Sequence, residues 1–106
     1  MTGDKIKVII KRPDEKYGHV ANITNTLENL QKTVGGYIEV INMPGYVLIV
    51  NEEGALQDMP YNCHVRGFTL FGTIVVAAIG PEDFDDLRIT FQEWRDIIGE
   101  SNGGAR

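Results

Sequence analysis

The stretch "TLENLQKTVGGYIEV", residues 26–40, constrains this chain more than any other. Leu27, Leu30 and Val34 recur at spacings of three and four, the stripe of an amphipathic helix. Two glycines follow, and "YIEV" then reads as a strand. A helix that stops on a glycine and feeds a strand within two residues packs naturally against the sheet it joins. The pair also raises a chemical question, because glycine-rich loops cradle phosphate. Those loops run from a strand into a helix, whose N-terminus offers free N–H groups and the positive end of the dipole. Gly35 and Gly36 stand in the reverse order, at a helix end that presents carbonyls. The lysine and Ser/Thr of a P-loop are absent, as is a dinucleotide fingerprint. The pair therefore reads as a helix stop, with Gly35 left-handed.

The rest of the chain supplies more strands and one more helix. "KIKVIIKR", residues 5–12, places Ile6, Val8 and Ile10 on one side and Lys5, Lys7 and Lys11 on the other, with Ile9 interrupting. That is a half-buried strand whose lysines suit a sheet edge. Residues 13–22 read mainly as a loop, with Val20 and Ala21 as a short strand. Asn25 is expected to cap the first helix, with Glu28 at capping-box spacing. "YIEVIN" and "YVLIVN" flank the turn Asn42-Met43-Pro44-Gly45 as a hairpin. Residues 51–68 read as irregular, and residues 69–79 as one apolar central strand around Gly72. Thr90 and Glu93 form a second capping box, Phe91, Trp94, Ile97 and Ile98 the apolar face behind it, and Gly99 its stop. If the first strand, helix and next strand make a crossover, those strands are parallel and the crossover right-handed. The expected fold class is α+β, a small mixed or antiparallel β-sheet packed with two helices. One domain spans 5–98, with 1–4 and 99–106 as flexible termini.

Charge and cysteine content narrow the partners. The 106 residues carry a net charge of -5, which argues against a general binder of nucleic acid or anionic membranes. The opening apolar run is too short for a signal peptide or a membrane span. Cys63 is the one cysteine, so no internal disulfide forms, and a reducing, cytoplasmic setting is expected.

Three segments hold candidate chemistry. In "NEEG", residues 51–54, adjacent glutamates point to opposite faces of a strand, so a turn is favoured in which Asn51 bonds locally and Gly54 takes positive φ. In "YNCHVR", residues 61–66, Cys63 and His64 are sequence neighbours, which rarely meet as a nucleophile pair. Zinc would need at least three protein ligands, and no ligand spacing is present. As a contact loop the segment is better suited: Tyr61, Asn62, His64 and Arg66 offer stacking and hydrogen-bonding groups. "EDFDD" gathers Glu82, Asp83, Asp85 and Asp86 without the glycine and closing glutamate of a calcium loop. It reads as a solvated acidic turn, or as a patch for a basic partner. Residues 54–106 hold 4 basic and 8 acidic side chains against 6 and 7 in residues 1–53, a slight skew.

"NTLENLQKTVGGYIEVI", followed by "VLIVNEEGALQDMPYN" and "FGTIVVAAIGPEDF", resembles a small uncharacterised domain family of bacteriophages and mobile elements, mainly of Gram-positive bacteria, over residues 5–98. The resemblance implies a compact domain in the cytoplasm of a bacterial host and carries no catalytic motif. The stretch between Asn62 and Gly72 is shorter than the family pattern, and the chain has an extra polar tail.

Two functions follow as expectations. One is a non-enzymatic interaction protein that binds a host protein, as an inhibitor of host defence, through the 51–68 segment and the 82–86 turn. The other is a module that sequesters a nucleotide-like small molecule, with Tyr61, Asn62, His64 and Arg66 near the 35–37 turn. An enzyme built on Cys63, His64 and the "NEEG" carboxylates ranks last, since no nucleophile, base and orienter can be assigned together. No catalytic residue, metal or cofactor is expected. A symmetric homodimer stays open.

Overall fold

A computed structural model describes residues 2–102. Its elements are β1 (Lys5–Lys11), β2 (His19–Thr24), α1 (Leu27–Val34), β3 (Ile38–Met43), β4 (Tyr46–Asn51), β5 (Tyr61–Val65), β6 (Phe68–Phe71), β7 (Ile74–Ile79), β8 (Phe84–Asp85) and α2 (Phe91–Ser101). The main sheet runs β2-β1-β7-β4-β3, with β8 added beside β7. Every paired neighbour in it is antiparallel. The fold is α+β, and the sheet is antiparallel rather than mixed. The conditional parallel crossover does not form: β1 and β3 lie at different places in the sheet, because β1 turns back through residues 12–18 to pair with β2 before the helix begins.

This changes the reading of β1. It is an interior strand between β2 and β7, not an edge. One face is covered along the strand and the other over its second half, with Lys5 and Lys7 left exposed. Ile6 and Val8 join Leu30 and Val34 of α1 in one apolar layer. Ile9 joins Leu48, Val76, Trp94 and Ile98 in the other, beneath α2 and the β5–β6 hairpin. The isoleucine that interrupted the polar side marks this second core. Lys11, two residues on and on the same face, is only 2% exposed.

The glycine pair is the helix stop that its order in the chain demands. Gly35 has φ +84, and the N–H groups of Gly35 and Gly36 both donate to the carbonyl of Gln31, at 2.8 and 3.0 Å. The N-cap, however, is Thr26 rather than Asn25, and its hydroxyl accepts from the backbone N–H of Asn29 at 3.1 Å. Asn25 is buried instead and donates to the carbonyl of Phe84. Glu28 thus falls one position short of a capping box. The β3–β4 hairpin forms, closed one residue later than expected by the pair Met43 and Tyr46 around Pro44 and Gly45. At the second helix, Thr90 and Glu93 do make the reciprocal box.

Three further expectations give way to tertiary structure. Residues 61–65 form a strand, paired with β6 in a separate two-stranded sheet. The expected single strand over 69–79 breaks at Gly72, whose N–H donates to the carbonyl of Pro60 at 2.7 Å, so only β7 enters the main sheet. Gly99 lies inside α2, which runs on to Ser101 and is capped by Asn102. At the other end, Gly3 N–H donates to Asn25, which in turn donates to the carbonyl of Asp4. The expected flexible ends at residue 1 and at 103–106 lie outside the described residues. Among the described residues, no helix is long and apolar enough to cross a membrane.

Candidate functional site

The most developed polar site lies where β1 ends. A cleft of about 250 Å³ opens between the 12–18 turn, β5 and the end of α2. Lys11, Asn62 and Cys63 line its buried end.

A local irregularity aims those groups. In the β5–β6 pairing, Tyr61 faces Phe71 and Cys63 faces Leu70, so Asn62 is an extra, bulged residue. The bulge turns both Asn62 and Cys63 inward, leaving Tyr61 and His64 outside. The Asn62 side chain then grips Lys11 twice. Its Oδ1 accepts from Lys11 Nζ at 2.6 Å, and its Nδ2 donates to the Lys11 carbonyl at 2.9 Å and to the Gly72 carbonyl at 2.8 Å. Burial pushes the Lys11 pKa down, while Cys63, Glu15 and Asp14 oppose that shift through charge. Burial also pushes the Cys63 thiol up to about 11, against the pull of Lys11. Cys63 is therefore a protonated, apolar-like wall group at neutral pH rather than a ready thiolate. His64 faces away and pairs its ring with Thr69 Oγ1 at 3.1 Å.

The outer wall is an ordered turn. Glu15 Oε1 accepts from the Arg12 backbone N–H at 2.9 Å, and Oε2 lies 2.8 Å from His19 Nδ1. Burial would raise the Glu15 pKa, but these hydrogen bonds and the nearby charges hold it below the ordinary value. Gly18, at φ +88, lets the turn lie directly on β1: a Cβ there would stand 2.5 Å from the Ile10 carbonyl oxygen. Trp94 Nε1 donates to the Tyr17 carbonyl at 2.7 Å, which ties the turn to α2. The Tyr17 ring carries Arg95 at 4.8 Å and Lys16 at 5.3 Å from its centroid.

The residues singled out from the sequence divide among three places. Asn62 belongs to the cleft. Tyr61 and His64 share the outward face of β5, with ring centroids 5.4 Å apart. Arg66 sits in the hairpin turn at φ +44, its Nε donating to Tyr46 Oη at 3.3 Å and its N–H to Ser101 Oγ at 3.1 Å. The acidic turn lies at the far end of β1, roughly 13 Å away along the strand. There Asp86 accepts from the Lys7 N–H, Asp83 from those of Thr2 and Phe84, and Asp85 from that of Asp86. Three of its four carboxylates thus serve backbone donors, and Glu82 is exposed. Among the described residues, no group of three or more His, Cys, Asp or Glu is placed to hold a metal ion.

Residues 6–97 match the family described as a domain of unknown function, DUF3846. The chain belongs to that family. No curated protein and no solved structure matches it. In this DUF3846 member, the segments that carried the sequence resemblance meet at one joint. Asn51 Nδ2 donates to the Val34 carbonyl at the end of α1, its Oδ1 accepts from Glu53, and Glu52 N–H donates to the Tyr37 carbonyl. Gly54 does not take the positive φ expected of it; Asp58, at φ +53, does so further along. Met59 packs against both Gly35 and Gly72, and Gly72 accepts from Asn62. The glycine pair, the "NEEG" turn and the Pro60–Asn62 segment thus form a continuous support that ends at Lys11.

Sequence reasoning missed Lys11, Glu15 and Tyr17 as site residues. The available signal was Lys11 sharing a strand face with Ile9, an apolar neighbour on a nominally polar side.

Proposed function

We propose that this domain is a non-enzymatic binding protein that captures a small ligand in the Lys11 cleft, inside a bacterial host cell and in a bacteriophage or mobile-element setting. The setting rests on the sequence resemblance. The ligand reading rests on one observation: a lysine that is 2% exposed is held by a bulged asparagine at the inner end of an accessible cleft. Burying an ammonium costs several kcal/mol unless it is paired. Among the described residues Asn62 Oδ1 is its one hydrogen-bonded acceptor, Glu15 and Asp14 acting on it through charge alone, and a ligand acceptor completes its donors. The buried, protonated Cys63 thiol favours binding over chemistry.

Thermal unfolding tests the reading. A panel of metabolites, nucleotides included, should contain a class that raises Tm in the wild type and not in Lys11→Met. A panel that leaves Tm unmoved at millimolar concentration removes the cleft as a ligand site.

A host-protein partner is the second reading, favoured by a different surface. Tyr61, 48% exposed, lies with His64 and Phe71 on the hairpin side that faces away from the core, its ring centroid 5.4 Å from that of His64 and 6.1 Å from that of Phe71. Capture of one stoichiometric host protein, lost on Tyr61→Ala and Phe71→Ala, would support it. Capture that persists in both variants would remove this face.

A further inference from the structure

We infer that the Lys11 cleft selects a small molecule carrying a single carboxylate, seated on Lys11 Nζ and excluded from carrying a second negative charge by Glu15. This rests on the reading of the cleft as a ligand site and narrows it away from a nucleotide-like ligand.

Hydrogen-bond capacity comes first. A lysine ammonium has three donors. Among the described residues, Asn62 Oδ1 is its one hydrogen-bonded acceptor. The Asn62 amide has no capacity left to donate, since both N–H groups serve carbonyls, those of Lys11 and Gly72. Asn62 is therefore a positioning residue. It fixes where the ammonium points and leaves ligand contact to Nζ.

Charge comes second. Lys11 is the cation at the inner end, and Glu15 is a carboxylate on the wall of the same cleft. Its two oxygens are held in place by Arg12 and His19, so it cannot swing away without breaking the turn. Glu15 already faces the Arg12 guanidinium at 3.9 Å, so one negative group on the ligand is what balances Lys11. A phosphate monoester, with a charge of about -1.5 to -2 at neutral pH, would set its excess charge against Glu15. Lys16 also lines the cleft, but it is exposed and lies over the Tyr17 ring, where solvent screens it.

Size and polarity come third. The volume of about 250 Å³ falls below the ~300–1,000 Å³ of drug-sized sites. Ile98 and the neutral Cys63 thiol give the ligand's body an apolar surface next to the charged end.

Three matched probes separate these demands: benzoate, benzamide and phenyl phosphate, which share a ring and differ in charge. Each is titrated into ¹⁵N-labelled full-length protein, following the amides of Lys11, Asn62 and Cys63. Benzoate should bind saturably, with benzamide and phenyl phosphate at least about tenfold weaker, as loss of one charge-assisted hydrogen bond implies. Lys11→Met should weaken benzoate by about tenfold or more. Should that variant unfold, Glu15→Gln still decides, because its side chain lies at the surface turn: phenyl phosphate should gain several-fold on benzoate. Benzamide binding as well as benzoate, phenyl phosphate binding better in the wild type, or no gain in Glu15→Gln overturns the carboxylate assignment while the cleft reading stands. If none of the three moves those amides, both fall.

Discussion

The Asn62 side chain holds Lys11 by both ends, its Oδ1 2.6 Å from the ammonium and its Nδ2 2.9 Å from the carbonyl of the same residue. Removing either partner should therefore not cost the same. Asn62→Ala leaves a buried ammonium and two buried carbonyls without that amide, a loss of about 2–4 kcal/mol. Lys11→Met removes the charge together with its demand and keeps the aliphatic stem, at about 0–2 kcal/mol. Urea unfolding of both variants and of the double mutant measures this. The double mutant should lose less than the sum of the two, and a costlier Lys11→Met would refute the account.

Cys63 should make stability fall at alkaline pH. Its folded pKa of about 11 lies above the ordinary 9.0 because burial penalises the thiolate. Below pH 9 the contribution is fully present; as pH rises through about 11 it is lost, because the unfolded chain ionises first. At ~1.4 kcal/mol per pH unit the loss approaches about 2–3 kcal/mol. Lys11 acts with the opposite sign: its lowered pKa makes the folded state shed a proton first, so its contribution rises with pH below 10.5. Comparing the wild type with Cys63→Ala at pH 8 and pH 11 isolates the cysteine. The stability gap between them should narrow with pH, and a constant gap would contradict the assignment.

Gly36 should tolerate no side chain. A Cβ there would stand 2.8 Å from Asn51 Nδ2, the group that donates to the Val34 carbonyl. Gly36→Ala must displace that hydrogen bond and should cost about 1–3 kcal/mol. Gly35→Ala, whose penalty comes mainly from φ +84, should cost about 1 kcal/mol. Calorimetry would show Tm falling by roughly 4–8 °C per kcal/mol. An unchanged Tm in Gly36→Ala would mean that the joint yields freely.

Asn102 should protect β5. Its Oδ1 accepts from the His64 N–H at 2.9 Å and its Nδ2 donates to the His64 carbonyl at 2.9 Å, so one side chain pairs with the strand as a neighbouring strand would. Asn102→Ala should speed hydrogen exchange at His64 by about tenfold while leaving Leu48 and Val76 in the main sheet unaffected. Equal protection in both proteins would show that this pairing adds nothing to β5.

What the sequence determined by itself was local and periodic. The order of helix, Gly35 and strand settled the α1 stop, because left-handed φ and free carbonyls are properties of the adjacent backbone. Thr90 and Glu93 fixed the start of α2 for the same reason, their partners being three residues apart. Proline and glycine placed the β3–β4 turn to within one residue. Tertiary structure alone decided the rest. Lys11 looked like an edge lysine because alternation reports which residues share a face, not whether a second layer will cover it. The bulge at Asn62 carries no periodic signal, since it exists only relative to Leu70 and Phe71 across the hairpin. The cleft depends on contacts between residues 51 positions apart, as in Lys11 and Asn62. No local propensity encodes such a pair; it forms because the core beneath α2, which holds Ile9 together with Cys63 and Val65, packs β1 against β5.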